Sequence, residues 1–232
     1  MHCDLTGRHL VVTGGGGALG SAVVSTLLEA GATCHVPCKG ARDLESVARH
    51  GSERAHAVAD VELSDEAAVE AFYGALPALW GSIHLAGGFA MAPIERTRLA
   101  DLRSQLDTNL TSCFLCCREA VASFRRGRGG RIVNVAARPA LVPAGGMLAY
   151  TTAKAAVASL TACLADEVRA EGILVNAIVP SIIDTPANRA AMPDADHSRW
   201  PTPAELARAI AYLASPENAV TTGALVPVYG RA

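Results

Sequence analysis

The chain reads as an α/β fold, a single-domain, doubly wound, mostly parallel seven-stranded sheet flanked by helices. Three observations predict it. Short apolar runs alternate with stretches that carry apolar residues at helical spacing. A glycine cluster, Gly14 to Gly17 with Gly20, separates the first run from the first helical stretch. The breakers Gly31, Gly127 to Gly130, Gly172 and the proline-bearing segment Pro180 to Pro203 fall where such a sheet needs its connections.

In order, Leu10 to Thr13 is the first strand and Ala18 to Ala30 the first helix, which stops at Gly31. Strands follow at Thr33 to Val36 and Ala55 to Ala59, then a helix over Asp65 to Leu76. Ile83 to Ala86 is the central strand, and Leu99 to Phe124 a long helix. Ile132 to Val135, the helix Tyr150 to Ala170 and the strand Leu174 to Ile178 repeat the alternation. A helix over Ala204 to Ala214 and the edge strand Leu225 to Val228 complete it. No internal repeat, linker or low-complexity tract interrupts the pattern.

With 232 residues, half of them hydrophobic, the chain can bury a sizeable core, so one domain over 1–232 is expected. A formal net charge of -2 offers no basic field for nucleic acid, and Arg125-Arg126-Gly127-Arg128 reads as a solvated turn. No run is long enough to cross a membrane. Seven cysteines, an odd count without framework spacing, and no apolar segment before the first strand suit a reducing, cytoplasmic setting.

Chemistry concentrates at two places. Tyr150 and Lys154 stand four residues apart, about one helical turn, so phenol and ammonium share a face. A fixed cation favours the phenolate and brings a group with a reference pKa of ~10 closer to the range of proton exchange with substrate. The turn Thr13-Gly14-Gly15-Gly16-Gly17-Ala18-Leu19-Gly20 between strand and helix lets backbone approach a dinucleotide's phosphates at a helix N-terminus.

In order and spacing, this glycine turn, Asp60-Val61, Ala86-Gly87, Asn109, Tyr150-Thr151-Thr152-Ala153-Lys154, Asn176-Ala177-Ile178-Val179-Pro180 and Asp184-Thr185 resemble the short-chain dehydrogenase/reductase family over nearly the whole chain. The resemblance implies a Rossmann fold, NAD or NADP, and reversible carbonyl–alcohol interconversion. It implies Tyr150 as general acid/base, Lys154 as the residue that binds the nicotinamide ribose and eases loss of the tyrosine proton, and Asn109 as holder of a relay water. Gly14, Gly16, Gly17 and Leu19 would meet the phosphates, Asp60 and Val61 the adenine, Ala86 and Gly87 the ribose. Pro180, Ile183 and Thr185 would meet the nicotinamide end. Asp60 has a second reading, as N-cap of the following helix.

Departures from the family pattern matter as much. The family's serine thirteen residues before the tyrosine is here Ala137, and Asn134-Val135-Ala136-Ala137-Arg138 carries no hydroxyl. Arg138, Ser181 or the substrate's own electronics would have to replace that donor. Ala18 replaces a glycine of the turn, and His84-Leu85 replaces paired asparagines, which makes His84 a structural brace. After the second strand comes Cys38-Lys39 rather than a carboxylate, so Lys39 favours NADP, with NAD the alternative.

Cys113-x-x-Cys116-Cys117 has no second ligand pair in the sequence and reads as buried thiols, so no metal is assigned. Asp194, Asp196, His197 and Ser198 lack a nucleophile elbow and read as part of a short lid over residues 185–203, with Met192 and Trp200 as its apolar contacts. Ala153, Ala156, Val157, Leu160, Thr161 and Leu164 form a small-residue stripe suited to close packing against a copy of the chain, and the resemblance implies a homo-oligomer, dimer or tetramer, built on this helix and the one before it. Two functions are in play: an oxidoreductase acting on a small carbonyl or alcohol, and a dinucleotide-binding sensor or assembly partner that has lost efficient turnover.

Overall fold

Residues 3–127 and 129–231 are described in a computed structural model of the chain. Seven strands form one sheet: β1 His9–Thr13, β2 Thr33–Pro37, β3 Ala55–Val58, β4 Gly81–His84, β5 Gly130–Val135, β6 Ile173–Pro180 and β7 Leu225–Val228. Their order is β3-β2-β1-β4-β5-β6-β7, every neighbouring pair parallel. The order reverses between β1 and β4, the switch point at which a doubly wound sheet opens a crevice at its strand ends.

Side chains alternate along the strands. Leu10 and Val12 enter one core with Val23, Leu27, Leu206 and Ile210, whereas Val11 enters the opposite core with Phe72, Cys117, Phe124 and Val157. The first core lies under α1 (Ala18–Glu29) and α8 (Pro203–Ala214). The second lies under α3 (Glu66–Gly74), α5 (Ser112–Arg125) and α6 (Leu148–Glu167).

Several elements differ from the sequence expectation. A short helix, α2 (Ala41–Ala48), buries only Ser46 and Val47, too little to register as a periodic stripe. Asp65, not Asp60, caps α3, accepting from the amide of Ala68 at 3.2 Å. Asp60 instead holds a left-handed turn with φ +58°, a conformation that aspartate tolerates better than most residues. The helix expected over Leu99 to Phe124 is interrupted: α4 (Leu99–Leu106) runs into a π turn at Asp107–Thr111 before α5 begins. Within that turn Asn109 Nδ2 donates to the Gln105 carbonyl at 3.0 Å and Ser112 Oγ to the Thr108 carbonyl at 2.7 Å. Side chains thus serve acceptors inside a widened helical turn. Arg125 ends α5 paired with Glu171 at 2.7 Å rather than standing free, while Arg128 lies outside the described residues.

The glycine turn after β1 is sterically closed. Gly14 has φ +66°, and a Cβ there would sit 2.8 Å from the Ala86 amide nitrogen. A Cβ on Gly20 would lie 2.0 Å from the Gly14 carbonyl oxygen, because α1 crosses directly over the turn. Ala18, by contrast, is exposed at the first position of α1, so its methyl displaces nothing. Gly20→Ala is expected to cost about 1–3 kcal/mol through overpacking and to weaken cofactor binding. Chemical denaturation beside dinucleotide titration checks this; wild-type values in both would show that the turn yields freely.

Candidate functional site

Strands β1 and β4 end side by side, and Thr13 Oγ1 accepts the Ala86 amide at 3.1 Å, fixing the loop after β4 to the glycine turn. Between them lies a cavity of about 430 Å³, bordered among others by Gly14, Gly17, Lys39, Val61, Ala86 and Gly87. The N-terminus of α1 has no side-chain cap and no acid in its first turn, so its amides stay available to an anion. A dinucleotide therefore fits the residues present: uncapped amides, a turn with no room for a Cβ, and a crevice at the switch point.

Six of the expected cofactor residues border this cavity together. Of the others, Gly16 underlies Asp43, whose Oδ1 would lie 2.7 Å from an added Cβ, and Leu19 stands half-buried on α1. Asp60 is exposed and does not border the cavity, whereas its neighbours Val61 to Ser64 do. Pro180 closes β6, and Ile183 accepts from Asn188 Nδ2 at 2.8 Å. Thr185 caps α7 (Pro186–Ala191), receiving the Asn188 amide at 3.2 Å.

Lys39 is not a free cation. Its Nζ lies 2.5 Å from Glu62 Oε2, and this pairing, chiefly its hydrogen bond, holds the lysine above its ordinary pKa and the carboxyl below its own. Asp43 borders the same cavity. Sequence reading missed both carboxylates, Glu62 because it belongs to another strand's loop and Asp43 because it rides on the unrecognised α2. An acid in the first turn of a helix, Asp43 itself, is the local signal the sequence carries for α2.

Tyr150 stands in the first turn of α6, its ring edge-on to Phe89 with centroids 5.0 Å apart. Lys154, one turn on, is buried and donates to the Val135 carbonyl at 2.8 Å. Burial lowers the lysine to about 8 and pushes the phenol up to about 12. The expectation that a neighbouring cation favours the Tyr150 phenolate meets an opposing effect: one of the three Lys154 N–H groups is on the Val135 carbonyl, and burial holds the phenol up.

Asn109 is buried, and its amide is occupied. Its Nδ2 donates to the Gly88 carbonyl at 3.0 Å while its Oδ1 accepts the Gly88 amide at 3.2 Å. An added Cβ on Gly87 would approach Asn109 Oδ1 to 2.7 Å and Lys154 Nζ to 3.4 Å, so these three residues meet beside the cavity that Gly87 borders.

Ala137 follows β5, almost fully buried in extended backbone (φ −158°, ψ 153°). Both replacement donors are engaged elsewhere. The Arg138 guanidinium lies 5.2 Å from the Tyr229 ring centre, and Ser181 Oγ donates to the Tyr229 carbonyl at 2.8 Å.

The expected lid is tied down. Asp184 pairs with Arg189 at 2.5 Å, and Asp196 Oδ1 receives the Ser198 amide at 3.1 Å. Trp200 is buried against His197, with ring centres 4.6 Å apart, so it is not an apolar contact of an open pocket. Exposed apolar side chains instead come from Phe89, Met91, Leu148 and Ile182.

His84 is buried in the sheet centre, bonded through Nε2 to Ser82 Oγ and through Nδ1 to Asn134 Oδ1, each at 2.8 Å. Nearby, the Cys117 hydrogen bond lowers the Cys113 thiol, and the same contact raises Cys117.

Comparison with known proteins agrees with this architecture. Residues 8–196 match the short chain dehydrogenase family. A galactitol 2-dehydrogenase of Rhizobium johnstonii is 34% identical across 97% of this chain and 94% of that protein. A cis-4-hydroxycyclohexanecarboxylate dehydrogenase of Sinomonas cyclohexanicum is 32% identical across 96% and 95%. A solved structure from Beutenbergia cavernae, with NADP bound at low occupancy, superposes with a TM-score of 0.89 at 27% identity, covering 98% of this chain and 97% of that one. On fold, matched span and identity, the chain belongs to the short-chain dehydrogenase/reductase family and is an oxidoreductase of that kind.

Proposed function

We propose that the protein interconverts a secondary alcohol and a ketone, with Tyr150 as proton donor and acceptor. The observation that carries this reading is the meeting of Asn109 and Lys154 at Gly87 beside the cavity, with Tyr150 one helical turn before Lys154 and edge-on to Phe89. When bound there, a nicotinamide cofactor supplies and receives the hydride. Lys154 binds and orients, its position set by Val135; Asn109 is a positioning residue that holds the Gly87–Gly88 loop. Exposed Met91 and Leu148, which border a second cavity, together with Phe89 against Tyr150, favour a cyclic or otherwise apolar alcohol over an open-chain polyol. A panel of cyclic secondary alcohols, polyols and the matching ketones, followed by cofactor absorbance, tests this; turnover confined to polyols would overturn the substrate class.

Lys39 supports a preference for NADP, with NAD also accepted, and its pairing with Glu62 limits the size of that preference. NADPH is expected to bind more tightly than NADH, Lys39→Ala to narrow the gap and Glu62→Gln to widen it by up to about fivefold, the scale of an exposed pair. Fluorescence titration decides; tighter binding of NADH would remove the role given to Lys39.

A homo-oligomer built on α6 is also proposed. Ala153, Val157 and Thr161 of the expected stripe are buried within the chain, which leaves half-buried Ala156, Leu160 and Leu164 for a partner copy. Ala156→Arg is expected to shift the assembly towards monomer, since a buried unpaired charge costs about 3–5 kcal/mol. Light scattering reads the mass, and a wild-type monomer at micromolar concentration would refute the assembly. α6 is the one described helix long and apolar enough to cross a membrane by length and composition, yet it lies over β6 and α4 as a core helix. A cytoplasmic location is proposed from the seven free thiols.

The second reading, a dinucleotide-binding protein without efficient turnover, draws on Ala137 and on the engagement of Arg138 and Ser181 with Tyr229.

A further inference from the structure

The centre of the sheet holds a group of soft ligands that the reaction does not use. His84 from β4 meets Cys113 and Cys117 from α5, their ligand atoms all within 4.8 Å of one another and all three residues buried. Asn134 of β5 adds an amide oxygen. Three of the separations match the edges of a tetrahedron: Cys117 Sγ to His84 Nδ1 is 3.5 Å, Cys113 Sγ to Asn134 Oδ1 3.4 Å, and Cys117 Sγ to Asn134 Oδ1 3.6 Å. Zinc bonds of about 2.0–2.3 Å imply ligand–ligand edges of roughly 3.3–3.8 Å. The one short edge, 2.8 Å between His84 Nδ1 and Asn134 Oδ1, is a hydrogen bond that would lengthen as both atoms turn to an ion.

The surrounding groups already orient these ligands. With Nδ1 donating to Asn134 Oδ1, His84 Nε2 accepts from Ser82 Oγ at 2.8 Å, itself 2.8 Å from Tyr73 Oη; an ion at Nδ1 requires that proton to move to Nε2, which then donates to Ser82 Oγ. Asn134 Nδ2 donates to Thr161 Oγ1 at 2.9 Å, which directs its oxygen towards the thiols. Two thiolates balance a divalent charge, so the buried site would be neutral.

We propose that His84, Cys113, Cys117 and Asn134 form a structural site for a thiolate-binding divalent ion of the zinc class. On binding, the two S–H bonds are replaced by two metal–sulfur bonds and both protons pass to solvent. The ion ties β4, β5 and α5 together through Asn134, the residue before Val135, whose carbonyl holds Lys154. The sequence expectation of no metal weighed the cysteines alone. The fold adds a histidine and an amide from neighbouring strands, and it selects Cys113 and Cys117, one helical turn apart, rather than a Cys-x-x-Cys pair. Because the site is closed, the ion enters as the chain folds.

The test refolds the full chain under reducing conditions with Zn²⁺ or Co²⁺ and dialyses it against a chelator. About one ion per chain should remain, with a rise in thermal midpoint, as expected for a ligand that binds only the folded state. The cobalt form should show a charge-transfer band of two-thiolate intensity. Cys113→Ala and Cys117→Ala should each weaken retention by about a hundredfold or more, while the exposed Cys163→Ala should not. The proposal falls if refolded wild type retains no ion, if the band is that of a single thiolate, or if retention survives in the double variant. Should a variant fail to fold, the wild-type cobalt spectrum decides by itself: no thiolate band overturns the site.

Discussion

Tyr150→Phe is expected to lower turnover by about 10²- to 10⁴-fold, the usual weight of a positioned proton donor, while cofactor binding persists. The substitution removes one oxygen and little else. The ring would keep its edge contact with Phe89, and Lys154 would keep its bond to Val135, so the residues beside the cavity stay in place. The direction of the phenol's shift adds a second expected result. With burial holding it up near 12, the protein alone keeps the proton on Tyr150. Carbonyl reduction, which uses that proton, is therefore favoured near neutral pH, and alcohol oxidation should quicken as pH rises. Parallel initial rates and dinucleotide titrations of wild type and variant provide the check. A variant that retains a tenth or more of the activity would move the proton transfer to another group and strengthen the binding-protein reading.

What could be read in advance was local. Tyr150 and Lys154 declare themselves because four residues make one turn of a helix wherever that helix lies. The glycine turn does so because a crossing helix leaves no space for a Cβ at Gly14 or Gly20, a constraint written into adjacent residues. All seven strands were legible as apolar runs for the same reason, though β4 runs Gly81–His84, two residues ahead of the expected Ile83 to Ala86. What escaped depends on partners distant in sequence or on breaks in period. The π turn at Asp107–Thr111 inserts a residue into a helix without interrupting its apolar content, so 3.6-residue spacing reads straight through it. Yet that turn aims Asn109 at Gly88, while Cys113 and Cys117 of the following helix face His84. Lys39 reads as a free cation until Glu62, from the loop beyond β3, is placed beside it. Trp200 reads as a lid contact until its burial against His197 is seen.

Ala137→Ser is expected to raise the rate of carbonyl reduction by up to about 100-fold, the lower end of what one donor to a developing oxyanion supplies. The backbone permits it. Residue 137 is extended and its carbonyl accepts the Ala140 amide at 2.9 Å, so a serine adds one hydroxyl without altering the turn that follows. Neither expected replacement duplicates that hydroxyl, since Arg138 lies over Tyr229 and Ser181 is bonded to the Tyr229 carbonyl. In the free protein the new hydroxyl is buried, and an unsatisfied group of that kind costs about 1–3 kcal/mol, so a modest fall in thermal midpoint should accompany the gain in rate. The two effects separate the possible causes. Faster turnover in a slightly less stable protein identifies the missing donor as the limit on wild-type chemistry. An unchanged or lower rate at the same loss of stability would mean that the substrate polarises its own carbonyl, or that binding rather than turnover is the protein's task.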